Sequence, residues 1–455
     1  MAAARHRKTL VNGNEVKLKK KCNNKQAAFY KSCLLCFGYS LRGLLLAFVL
    51  LPAVSVAYGQ SFRAGAAIRV ITPDPLLPVS GGVGSPRPAH IQKGDLFVRA
   101  LVLESSGTRI AFVSIDNLGW PAVLGDRARA MITGIPPENI LIGATHTHSA
   151  PDAYGFPDEH GVHHADLAYL DFCVRQMADA VNEAVRKLEP ATLKVAMGAA
   201  NGRIAFNYYA EELYDPRCSV MQAVAMNGNV IATLVNYAVH PETIGSKRGV
   251  LSPDLCGPLY ERIEDRVGGV ALFMNGALGG MVTADNRQAK SEETSELWAE
   301  CVRIGTLLAD EAIRLIHDGQ VVTDPELRCL SKQVTFPVET AVMQYILNQS
   351  PLSYPSPAPN QITTRINAVK VGPATILTIP GEALPNIGYY LKRKMKSDYP
   401  FLFGLTNDAF GYMLTKVDFD SFQRYAYITR TSLGEMTGEI YIDEALALVA
   451  ALYHE

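Results

Sequence analysis

The sequence predicts an α/β fold, with one or more mixed sheets flanked by helices in a single large domain. Short apolar runs alternate with longer amphipathic ones over residues 60–455, the pattern of strands interleaved with helices. Asn227-Gly228 lies between two apolar runs, a hairpin signal that makes part of the sheet antiparallel. No internal repeat is visible and no linker divides the chain; the Pro/Ser run from Ser350 to Pro359 reads as a loop.

Taken in order, Leu96–Leu103, Ile110–Ile115 and Ile140–Gly143 are apolar runs of strand length. The amphipathic stretch Asp166–Leu188 reads as a helix, followed by strands at Leu193–Met197 and Val230–Tyr237. A helix at Pro253–Asp265 precedes a strand at Val270–Met274, and a long helix follows at Lys290–His317. In that helix Leu297, Val302, Leu307, Leu308, Ile313 and Ile316 form the expected buried stripe. Strands at Ile366–Val371 and Ile376–Ile379, then helices at Ala383–Lys396 and Asp443–Tyr453, complete the expected set.

The 455 residues are 48% hydrophobic and 19% charged with a formal net charge of −1, a globular composition with length for a large core. Without a domain-wide basic excess, nucleic acid is not an expected partner. Basic residues cluster instead ahead of the apolar run from Gly43 to Ala57. That run, at about 15 residues, is short for a membrane span, and small residues Ser55 and Ala57 follow its apolar centre. Residues 1–59 are therefore expected to be a basic leader with a signal peptide or N-terminal anchor. The remainder is expected to be exported, secreted or periplasmic, or membrane-anchored if the leader is kept. Beyond the leader's Cys22, Cys33 and Cys36 stand Cys173, Cys218, Cys256, Cys301 and Cys329 with no CxxC pair. That excludes a zinc finger or a dense disulfide framework, leaving room for one or two bridges.

The chemistry concentrates at strand ends. Thr145-His146-Thr147-His148-Ser149 follows the apolar run Ile140–Gly143 and puts two imidazoles two residues apart, pointing to one metal ligand and one proton-handling group. His240, pinned by Pro241, closes the Val230–Tyr237 run; Pro380-Gly381-Glu382 ends another strand, with the carboxylate expected to open the next helix. The run Gly404–Tyr412 is a third such boundary. Two His and a carboxylate match catalytic zinc sites, which leave a coordination position for water. Each also has a plain structural reading: a hydrogen-bonded loop His, a helix-dipole Glu, a core Tyr, and turn or helix-start roles for Asp116 and Asp254.

These strings together resemble the neutral/alkaline, non-lysosomal ceramidase family in its N-terminal catalytic domain, from about Gly65 onward. The ordered series is Gly94–Ala100, Val113–Asp116, Thr145–Ser149, His240-Pro241, Ser252–Asp254, Pro380–Glu382, Gly411-Tyr412 and Gln423–Tyr425. The resemblance implies a hydrolase of linear amide bonds in sphingolipid metabolism, taking ceramide or another N-acyl lipid, with peripheral membrane contact. It implies one Zn²⁺ per chain on His146, His240, Glu382 and Tyr412, His148 as the proton carrier, and Arg203 or Tyr412 stabilising the oxyanion. The family's Gly-Asp-Val-Ser-Pro-Asn run is met here by Gly279–Asn286 without the Asp and Ser in register, and its Asn-Arg-Ser-Pro turn is not reproduced around Arg203. The sequence also ends soon after Tyr453, leaving no room for the family's C-terminal β-sandwich. Two other readings stand beside this one. One is a different metallohydrolase acting on an ester or phosphoester, such as a dinuclear phosphoesterase using Asp116, His146, His148, Asp254 and His240; the other is a non-catalytic exported binding protein that retains the fold.

Overall fold

Three stretches of chain repeat one topology: three antiparallel strands, a helix, and a fourth strand parallel to the third. The computed structural model describes residues 62–454. In the first stretch, β1 (Arg63–Val70), β2 (Phe97–Ser105) and β3 (Thr108–Ile115) are antiparallel neighbours. Helix α1 (Ala122–Arg129) then leads to β4 (Ile140–Ala144), parallel to β3, and α2 (Leu167–Arg186) follows. The second stretch repeats this with β5 (Glu189–Ala199), β6 (Arg217–Ala225), β7 (Val230–Tyr237), α3 (Cys256–Val267), β8 (Val270–Asn275) and α4 (Thr294–His317).

A short strand β9 (Gln320–Val322) pairs with β5 before the third stretch begins. There β10 (Leu327–Pro337), α5 (Ala341–Gln349), β11 (Gln361–Val371), β12 (Ala374–Thr378), β13 (Gly381–Ala383), α6 (Pro385–Lys394) and β14 (Tyr399–Phe403) follow in order. Strands β10, β11 and β12 are antiparallel, and β14 is parallel to β12. The chain finishes through β15 (Phe410–Met413), α7 (Ala426–Arg430) and α8 (Thr437–Tyr453). The first two stretches join through β1 and β5 into one nine-stranded sheet, and the third forms a separate four-stranded sheet.

The strand periodicity stacks these parts in four layers. Along β2, Val98, Ala100 and Val102 pack with α1 and α2, while Leu101 and Leu103 face the second sheet. Alternation of this kind is what strands buried on both faces require. On β7 and β8, Val235, Ala271 and Phe273 meet α3 and α4, whereas Leu234, Leu272 and Met274 face the second sheet. The outer face of that sheet is covered by α6 and α8 through Ile387, Leu391, Tyr441 and Ala445. At the sheet-to-sheet interface the fully buried Phe112 meets Phe403 edge to face, with ring centroids 5.8 Å apart. Phe112→Ala is expected to cost about 3–5 kcal/mol of stability, seen as a lowered urea midpoint with the urea slope unchanged.

The fold is thus the mixed-sheet α/β class the sequence predicts. All eight expected strands and five expected helices are present, although α3 and α6 begin two or three residues later than expected. The stripe on α4 is corrected: Leu297, Cys301, Ile304, Leu308, Ala312 and Ile316 are buried at three- or four-residue steps, and Val302 is 38% exposed. Cys173, Cys218, Cys256, Cys301 and Cys329 are all free thiols, so the room for bridges is not used. The expected leader and its apolar run fall outside the described residues. Among the described residues, no helix is long and apolar enough to cross a membrane.

Candidate metal centre

Each topological repeat sends a polar side chain from its strand ends to one point. His146 follows β4 in the first repeat and His240 follows β7 in the second. The third repeat supplies Glu382 on β13 and Tyr412 on β15, which pair directly in register. Glu382 therefore lies in a strand and not at the start of a helix, correcting the sequence expectation: its backbone pairs with β15 before Pro385 opens α6. Ends of parallel neighbours are where open α/β sheets place their ligands.

The two imidazoles are locked in one orientation. His146 Nδ1 lies 2.5 Å from the Leu118 carbonyl oxygen, and His240 Nδ1 lies 2.8 Å from that of Val282. An Nδ1–H that donates to a carbonyl leaves Nε2 as the lone-pair donor, the usual outer support of a metal-binding His. Those Nε2 atoms converge on one carboxylate oxygen: Glu382 Oε2 is 3.1 Å from His240 Nε2 and 3.6 Å from His146 Nε2. His148 joins them, with ring nitrogens of the three histidines within 4.8 Å of one another. His146 itself sits at φ 74°, a left-handed conformation that costs a side-chain-bearing residue energy and gathers at functional sites.

Asn275, at the end of β8, braces the two histidine loops against each other. Its amide donates to the carbonyls of Thr145 at 2.9 Å and Val239 at 2.7 Å, and its oxygen accepts from Val239 N–H at 3.1 Å. Behind Glu382, a Cβ on Gly279 would lie 2.1 Å from the Glu382 carbonyl oxygen. Glycine at position 279 is therefore required by the packing: a side chain there would collide with β13.

The electrostatics suit a cation. Burial raises the Glu382 carboxyl, but the His146 and His240 imidazoles outweigh it and hold it below the ordinary range. Burial drives His146 down to about 3. Burial also lowers His240, yet its hydrogen bond to Glu382 and the charges of Glu242 and Glu382 turn the net shift upward. Burial and the neighbouring Glu382 hold the Tyr412 phenol well above its usual range, so it is protonated. An ionised carboxylate between imidazoles is a donor set that fits zinc. Cation binding would displace the proton shared by His240 and Glu382.

His148 occupies a different position. Its Nδ1 faces the Glu242 carboxylate at 3.5 Å, and its Nε2 is buried with no hydrogen-bond partner. Burial and the nearby His240 lower it to about 3, so the ring is neutral. It lines a cavity of about 670 Å³ together with His146, Glu382 and Tyr412. The remaining walls are largely apolar, including Leu118, Phe156, Met343, Ile346 and Tyr354. Apart from Leu118, these walls come from the Tyr154–His164 loop and the Val338–Gln361 segment.

Arg203 is not brought to this point. It is half exposed and held by Asp285, with Nε–Oδ2 3.0 Å and Nη2–Oδ1 3.1 Å, and it does not line the cavity. Asp116 and Asp254 are equally committed elsewhere. Asp116 accepts from Phe97 N–H at 2.9 Å and Tyr260 O–H at 3.1 Å. Asp254 accepts from Ile244 N–H at 2.9 Å and Leu255 N–H at 2.7 Å. Neither is free to bridge two metals. Sequence reasoning missed Asn275, Glu242 and the wall helix α5. The Asn275-Gly276 pair ending a strand was the available signal for the first.

Asp408, also on the cavity wall, gives a pH prediction. Burial pushes its carboxyl up to about 7 although Ala409 and Ala122 N–H donate to it. A free Asp titrates near ~3.9, so between about pH 4 and about pH 7 the folded chain holds a proton that the unfolded chain has lost. Stability should therefore fall as pH rises through that window. Asp408→Asn should flatten this part of the slope, read from urea midpoints at about pH 5 and about pH 8.

No family model matches the chain. In sequence it is 26% identical over 185 residues to a neutral ceramidase of Pseudomonas aeruginosa, a match covering 35% of this chain and 27% of that protein. The chain thus aligns with about a quarter of the curated relative's length. In structure it matches the crystal structure of neutral ceramidase from Pseudomonas aeruginosa with a TM-score of 0.71 and 17% identity, covering 86% of this chain and 74% of the other. A ceramidase complexed with C2 matches with a TM-score of 0.69 and 17% identity, covering 86% and 75%.

Proposed function

We propose that the chain, homologous to neutral ceramidase over the aligned segment and sharing its fold over most of its length, is a zinc-dependent amidohydrolase that cleaves an N-acyl amide bond, in ceramide or another N-acyl lipid. One observation carries this reading: Nε2 of His146 and of His240 meet at Glu382 Oε2, beside Tyr412, at the end of an apolar cavity. His146, His240 and Glu382 would hold one Zn²⁺, with the Tyr412 phenol beside it. When bound, such an ion lowers the pKa of its water toward ~7 and polarises a carbonyl.

The chain's own residues supply the rest. The apolar wall takes the acyl chain and keeps bulk water from the scissile bond. Neutral His148 accepts the proton that attack by water releases and passes it from Nε2 to the departing amine, while Glu242 beside Nδ1 stabilises the imidazolium formed in between. Tyr412 O–H is placed to donate to the tetrahedral oxyanion. Arg203 has no part in these steps.

The test is release of fatty acid from a panel of N-acyl substrates by the purified protein. Activity should disappear with a chelator and return with Zn²⁺. Activity that survives complete metal removal overturns the proposal. Two zinc ions per chain would favour the dinuclear alternative.

A further inference from the structure

A second cleft lies on the other side of His148. Gly81 and His148 line both it and the apolar cavity, so the two spaces lie on either side of that side chain. The contact is narrow: a Cβ on Gly81 would lie 2.6 Å from Ser246 Oγ and 3.3 Å from the His148 carbonyl oxygen. The second cleft, about 1480 Å³, is polar, and its walls include Glu242, Lys247, Arg248, Lys290 and Glu292.

Its charges are unevenly committed. Arg248 is held by Glu292 at 3.2 Å and donates to the Ile244 carbonyl at 3.0 Å. Glu242 faces His148 at 3.5 Å. The exposed ammonium groups of Lys247 and Lys290 therefore set the sign of the outer rim. A long apolar tail laid along this wall would desolvate charges without pairing them, whereas an anion would meet complementary charge.

We infer that this cleft receives the amine half of the substrate and that this half carries a carboxylate. The favoured substrate class is a singly acylated amino acid, with its acyl chain in the apolar cavity and its carboxylate toward Lys247 and Lys290. This rests on the amidohydrolase reading above and narrows it. Cleavage adds water across the C–N bond: the acyl carbon takes the oxygen, and the amine nitrogen leaves as the free amino acid with the proton carried by His148. The amide bond would lie where the two spaces join.

The test compares three conjugates of one dodecanoyl chain: with glutamate, with ethanolamine and with sphingosine. For the zinc-loaded protein, kcat/KM for the glutamate conjugate should exceed that of either other by about tenfold or more. Lys247→Glu with Lys290→Glu should lower the glutamate-to-ethanolamine ratio of kcat/KM at least about tenfold, mainly through KM. Binding gives a readout without turnover. N-dodecylglutamate, which has no amide to cleave, should bind the metal-free protein more tightly than N-dodecylethanolamine, and the double charge reversal should abolish the difference. The inference is overturned if the sphingosine conjugate is the best substrate, or if the reversal leaves the ratio unchanged. If no conjugate is hydrolysed but N-dodecylglutamate still binds in a lysine-dependent way, the amidohydrolase reading falls and the assignment of the cleft stands.

Discussion

A His240→Ala protein is expected to purify folded, to bind no stoichiometric zinc, and to hydrolyse N-acyl substrates at least on the order of 10³-fold more slowly, since removing an outer support alone costs 10–100-fold. His240 is fully buried, and its two ring nitrogens face the Val282 carbonyl and the Glu382 carboxylate. Truncation removes one of two oriented Nε2 donors and one of the two imidazoles that hold the buried Glu382 carboxyl low. His146→Ala should behave alike, because its ring is held in the same way by the Leu118 carbonyl. Zinc content by elemental analysis and the thermal shift on zinc addition check this independently of turnover. Wild-type zinc binding in both variants would remove these histidines from the ligand set.

A His148→Ala protein should behave differently: zinc retained, kcat lowered by roughly 10²–10⁴-fold, and KM little changed. The three histidines are close enough for His148 to be read as a third nitrogen ligand. Orientation separates them. His146 and His240 each have Nδ1 against a backbone carbonyl and Nε2 against Glu382, whereas His148 has Nδ1 toward Glu242 and lines both cavities. Loss of zinc together with activity in His148→Ala would make it a ligand and leave the proton carrier unassigned. A small amine such as imidazole, supplied in solution, should partly rescue the variant only if proton transfer is what was lost.

Much of the site was legible because its donors sit at strand ends, where an apolar run gives way abruptly to a polar residue. His146 and His240 carry that mark most plainly. Their convergence was not legible, because it follows from three copies of one topology whose strands share little beyond apolar character. Strands β1 and β10 were missed for related reasons. β1 is built on Ala64, Gly65, Ala66 and Ala67, without β-branched bulk, and the apolar pattern of β10 is interrupted by the exposed run Ser331-Lys332-Gln333. Arg203 was misplaced because a lone Arg after a turn says nothing of its partner; Asp285, eighty-two positions away, decides where it goes.

Glu382 was legible as a candidate, but its local setting was not. Pro-Gly-Glu before an amphipathic run reads as a helix start, yet β13 pairs with β15 first and puts Glu382 opposite Tyr412. That pairing, with Gly279 fitting closely behind it, is what brings a carboxylate and a phenol to the two imidazoles.

Anomalous diffraction at the zinc edge, on crystals of the zinc-loaded protein, addresses the shared centre directly. A single peak per chain is expected, within about 2.0–2.2 Å of His146 Nε2, His240 Nε2 and an oxygen of Glu382, with Tyr412 O–H adjacent. A peak held by other residues, a pair of peaks, or none at saturating zinc would contradict it.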